Sequence, residues 1–193
     1  MPKPMRADAR RNYERLLKEA ARAFAERGAD ASLDDIAKRA GVGSGTLYRH
    51  FPTRQDLLEG VYVESIDELA DQAVEFGASA RAPGDALADW LQKLAEQMIH
   101  LRGLKVLLGA AMTDGTSPVI SDCGGRLKET AGDLLAAAQR AGAVRADLRT
   151  TEMLRLTHAV ATATELGTGE PGEVRRYLAL MTEGINAGPR DVA

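Results

Sequence analysis

Apolar residues recur every three or four positions through almost the whole chain, and the strict alternation of a half-buried strand is missing. The pattern predicts an all-α protein. Its first helix spans 9–27, with Tyr13, Leu16, Leu17, Ala20, Ala23 and Phe24 on one face and Gly28 as its stop. Two short helices follow within 32–51, SLDDIAKRAGVGSGTLYRHF, joined by a tight turn at Gly41-Val42-Gly43. A long helix over 54–79 rests on Leu57, Leu58, Val61, Tyr62, Ile66, Leu69, Ala73 and Val74, and Ala82-Pro83-Gly84 breaks it. Further helices are predicted near 85–101, 103–112, 119–141, 151–166 and 173–187, about nine in all, with breaks at 115–118, 142–149 and 167–172. No internal repeat, low-complexity tract or flexible linker interrupts them.

The stretch from Ser32 to Phe51 has the spacing of a DNA-binding helix-turn-helix. Ser32 can cap the first short helix, and Asp35 three residues on completes a capping box. Ile36 and Ala37 face inward, and the small Ala37 lets a second helix cross closely. Gly41 can adopt the left-handed backbone that the turn needs. Val42 and Leu47 then hold the second short helix onto the first. Its outward face carries Ser44, Thr46, Tyr48, Arg49 and His50, donors and cations with no packing reason to be there. A second capping box, Thr53-Arg54-Gln55-Asp56, starts the long helix with a cation at its mouth.

Charge supports this reading modestly. The net charge is only -3, but residues 1–60 hold 12 Lys+Arg against 9 Asp+Glu, and the remainder 13 against 19. A basic head on an acidic body suits an electrostatic footprint confined to one end. The single cysteine, Cys123, cannot form an internal disulfide and points to a reducing, cytoplasmic setting. The first fifteen residues are too charged for a secretory signal, and no run approaches the roughly 20 apolar residues that span a bilayer.

Other chemistry is thin. GVGSG at 41–45 resembles a phosphate-cradling loop, but that loop needs a preceding strand and DDIAKRA is helical. No catalytic or metal-ligating constellation is visible: His100 and His158 stand on body helices, and Cys123 has no Cys or His at ligand spacing. No cofactor is implied. Trp90, Leu94, Met98, Leu108, Met112 and Met153, with His158, are candidate walls of a small-molecule cavity, although methionines and aromatics at helical spacing also build ordinary cores.

At these residues the chain resembles the TetR family of transcriptional regulators. The resemblance runs without a gap over about 10–62, through AFAERG and SLDDIAKRAGVGSGTLYRHFPTRQDLL, and GTLYRHF is its most diagnostic part. The body, from HLRGLKVLLGAAM through LLAAAQRAGAVRADL, is similar to the SbtR-like branch. The resemblance implies an N-terminal three-helix DNA-binding domain over 1–53 and a helical ligand-binding and dimerisation bundle over 54–193. It implies base reading by Gly43, Ser44, Thr46 and Tyr48, and phosphate contacts from Ser32, Thr46, Tyr48, His50 and Arg54. Pro52 stands where many members have Lys or another polar residue, and Arg54 replaces a frequent Lys. Gly43 and Gly45 offer no side chain, so shape and backbone contacts are expected to carry much of the specificity.

The expected function is that of a repressor: a homodimer on a palindromic double-stranded operator, released by an apolar or weakly polar small molecule. The resemblance implies dimerisation through the last two helices, and their Ala159, Ala161, Ala163 and Ala179 would permit close four-helix packing. Two other readings compete. One is a helical enzyme or small-molecule carrier with an incidental helix-turn-helix, which would need a catalytic constellation. The other is a regulator controlled by a protein partner or by oxidation of Cys123.

Overall fold

The computed structural model describes residues 7–28, 31–100, 118–167 and 171–186. Regular structure among them is helical: α1 (Ala7–Arg27), α2 (Leu33–Arg39), α3 (Ser44–His50), α4 (Arg54–Ala78), α5 (Pro83–His100), α6 (Pro118–Arg140), α7 (Thr150–Leu166) and α8 (Pro171–Asn186). That makes eight helices among the described residues, where the periodicity predicts about nine. The helix expected at 103–112 lies outside those residues, as do Leu108, Met112 and the side chain of His100.

The clearest departure is at the prolines. Pro83, Pro118 and Pro171 fall in stretches that read as breaks, yet each is the first residue of a helix. At that position the missing N–H has no intrahelical partner to lose, and the fixed φ is already helical. Apolar periodicity registers a helix only where it meets the core, so it starts these three late.

The chain divides into two compact units, and the division falls inside α4, after Ser65. In the first unit α1 packs on α2 and α2 on α3. Leu16, Ile36, Leu47 and Leu57, one from each of the unit's four helices, are wholly shielded from solvent. Gly41 ends α2 at φ 70. Its N–H bonds back to the Lys38 carbonyl at 3.1 Å, and the Val42 N–H to that of Ala37 at 3.0 Å. This pairing satisfies the carbonyls that a helix end leaves open. Gly41→Ala is therefore expected to cost about 1–2 kcal/mol, the penalty of left-handed backbone for a residue with a Cβ. A denaturant melt would read it, and unchanged stability would show that the turn can relax.

Gly60 marks a second tight place. A Cβ there would come within 2.9 Å of Phe51 Cε1 and 3.0 Å of Leu17 Cδ2, so a larger residue would have to push those side chains aside.

In the second unit α5 is central, packing against α6, α7 and α8. Trp90, Leu94 and Ala95 have no exposed surface, and the Trp90 indole N–H donates to the Leu69 carbonyl of α4 at 2.9 Å. Arg126 of α6 bridges Asp67 at 2.9 Å and Asp71 at 2.5 Å, both on the second half of α4.

Candidate nucleic-acid interface

The starts of α2 and α4 are set by side chains that the sequence already displays. Ser32 caps α2 by accepting the Asp35 N–H at 3.3 Å. The return half of the expected box is not made by Asp35, whose carboxylate takes a hydrogen bond from Arg27 at 3.1 Å. At Thr53 the box is reciprocal: Asp56 N–H donates to Thr53 Oγ1 at 3.1 Å, and Thr53 N–H to Asp56 Oδ2 at 2.8 Å. This fixes the start of α4 directly after α3. Gly43 caps α3 through its backbone alone.

On α3, Leu47 turns wholly inward and the polar residues turn outward. Tyr48 is 47% exposed, Arg49 is exposed, and Ser44, Thr46 and His50 are half-buried. The His50 ring is seated edge-on against Tyr13 of α1, centroids 5.9 Å apart, and Tyr13 stacks on Phe51 at 5.1 Å. Burial, with the Glu64 carboxylate nearby, pushes the Tyr13 hydroxyl above its ordinary range. It therefore stays neutral and tolerates this apolar seat. Ser32, Gly43, Ser44, Thr46, Tyr48, Arg49 and His50 thus fall within one α2–turn–α3 segment. Arg54 differs from them. It is half-buried, and its Nη1 donates to the Ala31 carbonyl at 2.6 Å, tying the first turn of α4 to the residue before the α2 cap.

Ion pairing engages part of the first unit's cations. Arg10 pairs with Glu14, Arg11 with Asp8, Arg22 with Glu19, Arg27 with Asp35, and Arg39 with Glu19 and Glu26. Among the described residues of the first unit, Arg15 and Lys18 of α1, Lys38 of α2 and Arg49 of α3 are exposed cations that make no ion pair. Lys38 was not singled out by its sequence, since a lysine on a polar helix face reads as solvation. Packed helices with a polar recognition helix and cations beside it are the arrangement of a helix-turn-helix DNA-binding protein.

The comparisons with known proteins agree. Residues 16–61 match the family described as bacterial regulatory proteins, tetR family. Residues 82–187 match the transcriptional regulator SbtR-like C-terminal domain. A TetR transcriptional regulator from Streptomyces coelicolor is similar in structure, with a TM-score of 0.72 and 32% identity over 90% of this chain and 97% of that one. The TetR transcription regulatory protein from Mycobacterium vanbaalenii gives a TM-score of 0.67 and 33% identity over 94% and 99%. The HTH-type transcriptional regulator AcrR of Shigella flexneri is 31% identical over 102 residues, 52% of this chain and 45% of its own length. The matched stretch thus spans less than half of that curated relative. The chain belongs to the TetR family of DNA-binding transcriptional regulators, with an SbtR-like C-terminal half.

The residues read as effector walls distribute unevenly. Trp90, Leu94 and Met98 share one buried face of α5, and Met153 is buried on α7, which packs against α5. His158 is half-buried with its Nδ1 atom enclosed. Buried Thr157 and Thr164 donate to carbonyls of their own helix, Met153 and Val160, each at 3.0 Å. Their hydroxyl protons are thus spent inside α7. Cys123 on α6 is half-buried. Burial first, then the neighbouring Asp67 and Asp122, push its thiol up. The thiolate is the reactive form, so this environment dulls the cysteine. No helix among the described residues is long and apolar enough to cross a membrane.

Proposed function

We propose that the protein is a ligand-responsive repressor that binds a palindromic operator as a homodimer and is released by a small molecule. In this reading residues 1–53 bind DNA, and residues 54–193 bind the effector and dimerise. The observation that carries it is the continuity of α4. This one helix starts at Arg54, fastened to Ala31 beside the recognition elements, and ends at Ala78 in the unit that holds Trp90 and Arg126. A ligand that binds two states of the second unit unequally would bias such a helix. One recognition helix reads too few bases, so two-fold pairing across half-sites about 34 Å apart is the physical expectation.

Ser32, Gly43, Ser44, Thr46, Tyr48, Arg49 and His50 supply the DNA contacts in this proposal. Arg54 acts chiefly by holding α4 to the α2 cap. Arg49→Ala is expected to lower the salt slope of DNA binding by about one unit, read from titrations at several salt concentrations. Arg54→Ala is expected to lose stability along with affinity. A loss of affinity alone, with a flatter salt slope, would make Arg54 a phosphate contact. The effector is apolar or weakly polar, because the buried side chains of the second unit, Leu94, Met98 and Met153 among them, are nearly all apolar and its buried Thr157 and Thr164 bond to their own helix. Localisation in the cytoplasm accords with DNA as partner.

Selection from a randomised duplex pool, with sedimentation of the free protein, tests the whole reading. Enrichment of a two-fold symmetric site by a dimer is expected. A monomer, or a pool without enrichment, would defeat it.

A further inference from the structure

We propose that Asp34 of α2 is a specificity-determining hydrogen-bond acceptor for the operator, reading a base amino group at the start of α3, with Ser44 as its positioning residue. This deepens the DNA-binding reading above and rests on it.

The Ser44 hydroxyl donates to Asp34 Oδ1 at 2.7 Å, joining the first turn of α2 to the first residue of α3. That end of a recognition helix is the one whose side chains meet base edges. A hydroxyl has a single proton, and here it is committed to the carboxylate, so Ser44 has none left to donate to a base. The carboxylate accepts at several lone pairs and has used one of them. Asp34 is exposed, and among the described residues no cation pairs with it, whereas its neighbour Asp35 is held by Arg27 at 3.1 Å.

The residues on either side of Ser44 clear the approach. A Cβ on Gly43 or Gly45 would meet nothing within 4 Å, and neither glycine has a left-handed φ. The fold therefore does not require glycine at either place. In a helix such as α3, alanine in place of Gly45 would be the more stable choice. Bare flanks on either side of Ser44 leave room there for another molecule's backbone or base edge.

A carboxylate facing DNA is repelled by every phosphate near it, so Asp34 weakens binding to arbitrary sequence. The repulsion is offset only where a cytosine N4 or adenine N6 amino group donates in the major groove. Asp34 thus discriminates by penalising sites that lack the amino group, as well as by rewarding those that have it.

The test is duplex selection with the full chain as wild type, Asp34→Ala, Asp34→Asn and Ser44→Ala, each checked by a thermal melt. Asp34→Ala is expected to lose roughly tenfold or more preference at one cytosine- or adenine-bearing position per half-site, keep the others, and bind random duplex more tightly. Asp34→Asn, which preserves an acceptor for Ser44, is expected to move that position toward adenine. Ser44→Ala should blunt the same position more than any other. A folded Asp34→Ala or Asp34→Asn protein with wild-type preference everywhere would overturn the proposal. So would weakening spread evenly over all sequences, which a purely structural bond would give. A wild-type protein that enriches no duplex would overturn the DNA-binding reading, and this inference with it.

Discussion

Leu156→Glu combined with Leu166→Glu is expected to yield monomers and to weaken operator binding by about 10²–10⁴-fold, the gain that simultaneous engagement of two linked sites supplies. Both residues lie on α7 and are large and apolar, yet 41% and 85% exposed. Single exposed leucines are ordinary and carry no argument. Their phase is what matters here. Leu156, Ala159, Ala163 and Leu166 follow one another at steps of three, four and three, all exposed, and so form one stripe along the helix. On α8, which packs against α7, Leu180 is 56% exposed beside exposed Ala179. Large and small residues alternating along such a stripe suit a second helix pair closing over it. Two glutamates in the stripe would bury unpaired charge on association. Sedimentation would report the oligomer, operator titration the affinity, and circular dichroism the integrity of each protomer. A double variant that stays dimeric would locate the interface elsewhere.

That stripe also shows where sequence reasoning stops. Ala161, grouped with Ala159 and Ala163 by its size, is wholly buried and belongs to the opposite side of α7. Small residues suit both a core and a close interface, and composition cannot choose between them; the helical phase set by Met153, Leu154, Thr157 and Thr164 can. The helix-turn-helix was far more legible, because its determinants are local. The Gly41 turn, the Ser32 cap and the Thr53–Asp56 box each act within a few residues and appear as expected. What escaped depends on contacts distant in sequence. Arg27 reaches Asp35 eight residues on, Ser44 reaches Asp34 across the turn, and Arg54 reaches Ala31 twenty-three residues back. No periodicity encodes which of several polar atoms a long side chain will meet. The same limit applied at Trp90, since core and cavity wall both face inward.

For Trp90 the structure favours the core, and the expected results follow from that. Trp90→Ala should destabilise the protein by about 3–5 kcal/mol, the range for deleting a buried large aromatic side chain. The residue has no exposed surface, and its N–H is bonded to the Leu69 carbonyl. Such a loss is a large share of a typical 5–15 kcal/mol of total stability, so the alanine variant is expected to be partly unfolded at physiological temperature. Trp90→Phe separates the two contributions. It keeps an aromatic ring in place and removes the indole donor, at a cost of about 1–3 kcal/mol including some lost packing. Trp90 and Leu69 both lie in the second unit, so the folded fraction of Trp90→Phe should keep its operator affinity in the absence of effector. Melts monitored by circular dichroism, alongside operator titrations corrected for folded fraction, would read both quantities. A Trp90→Phe protein of wild-type stability with an altered effector response would instead make Trp90 a wall of the ligand cavity. The indole N–H bond to α4 would then be a point through which the ligand acts on that helix.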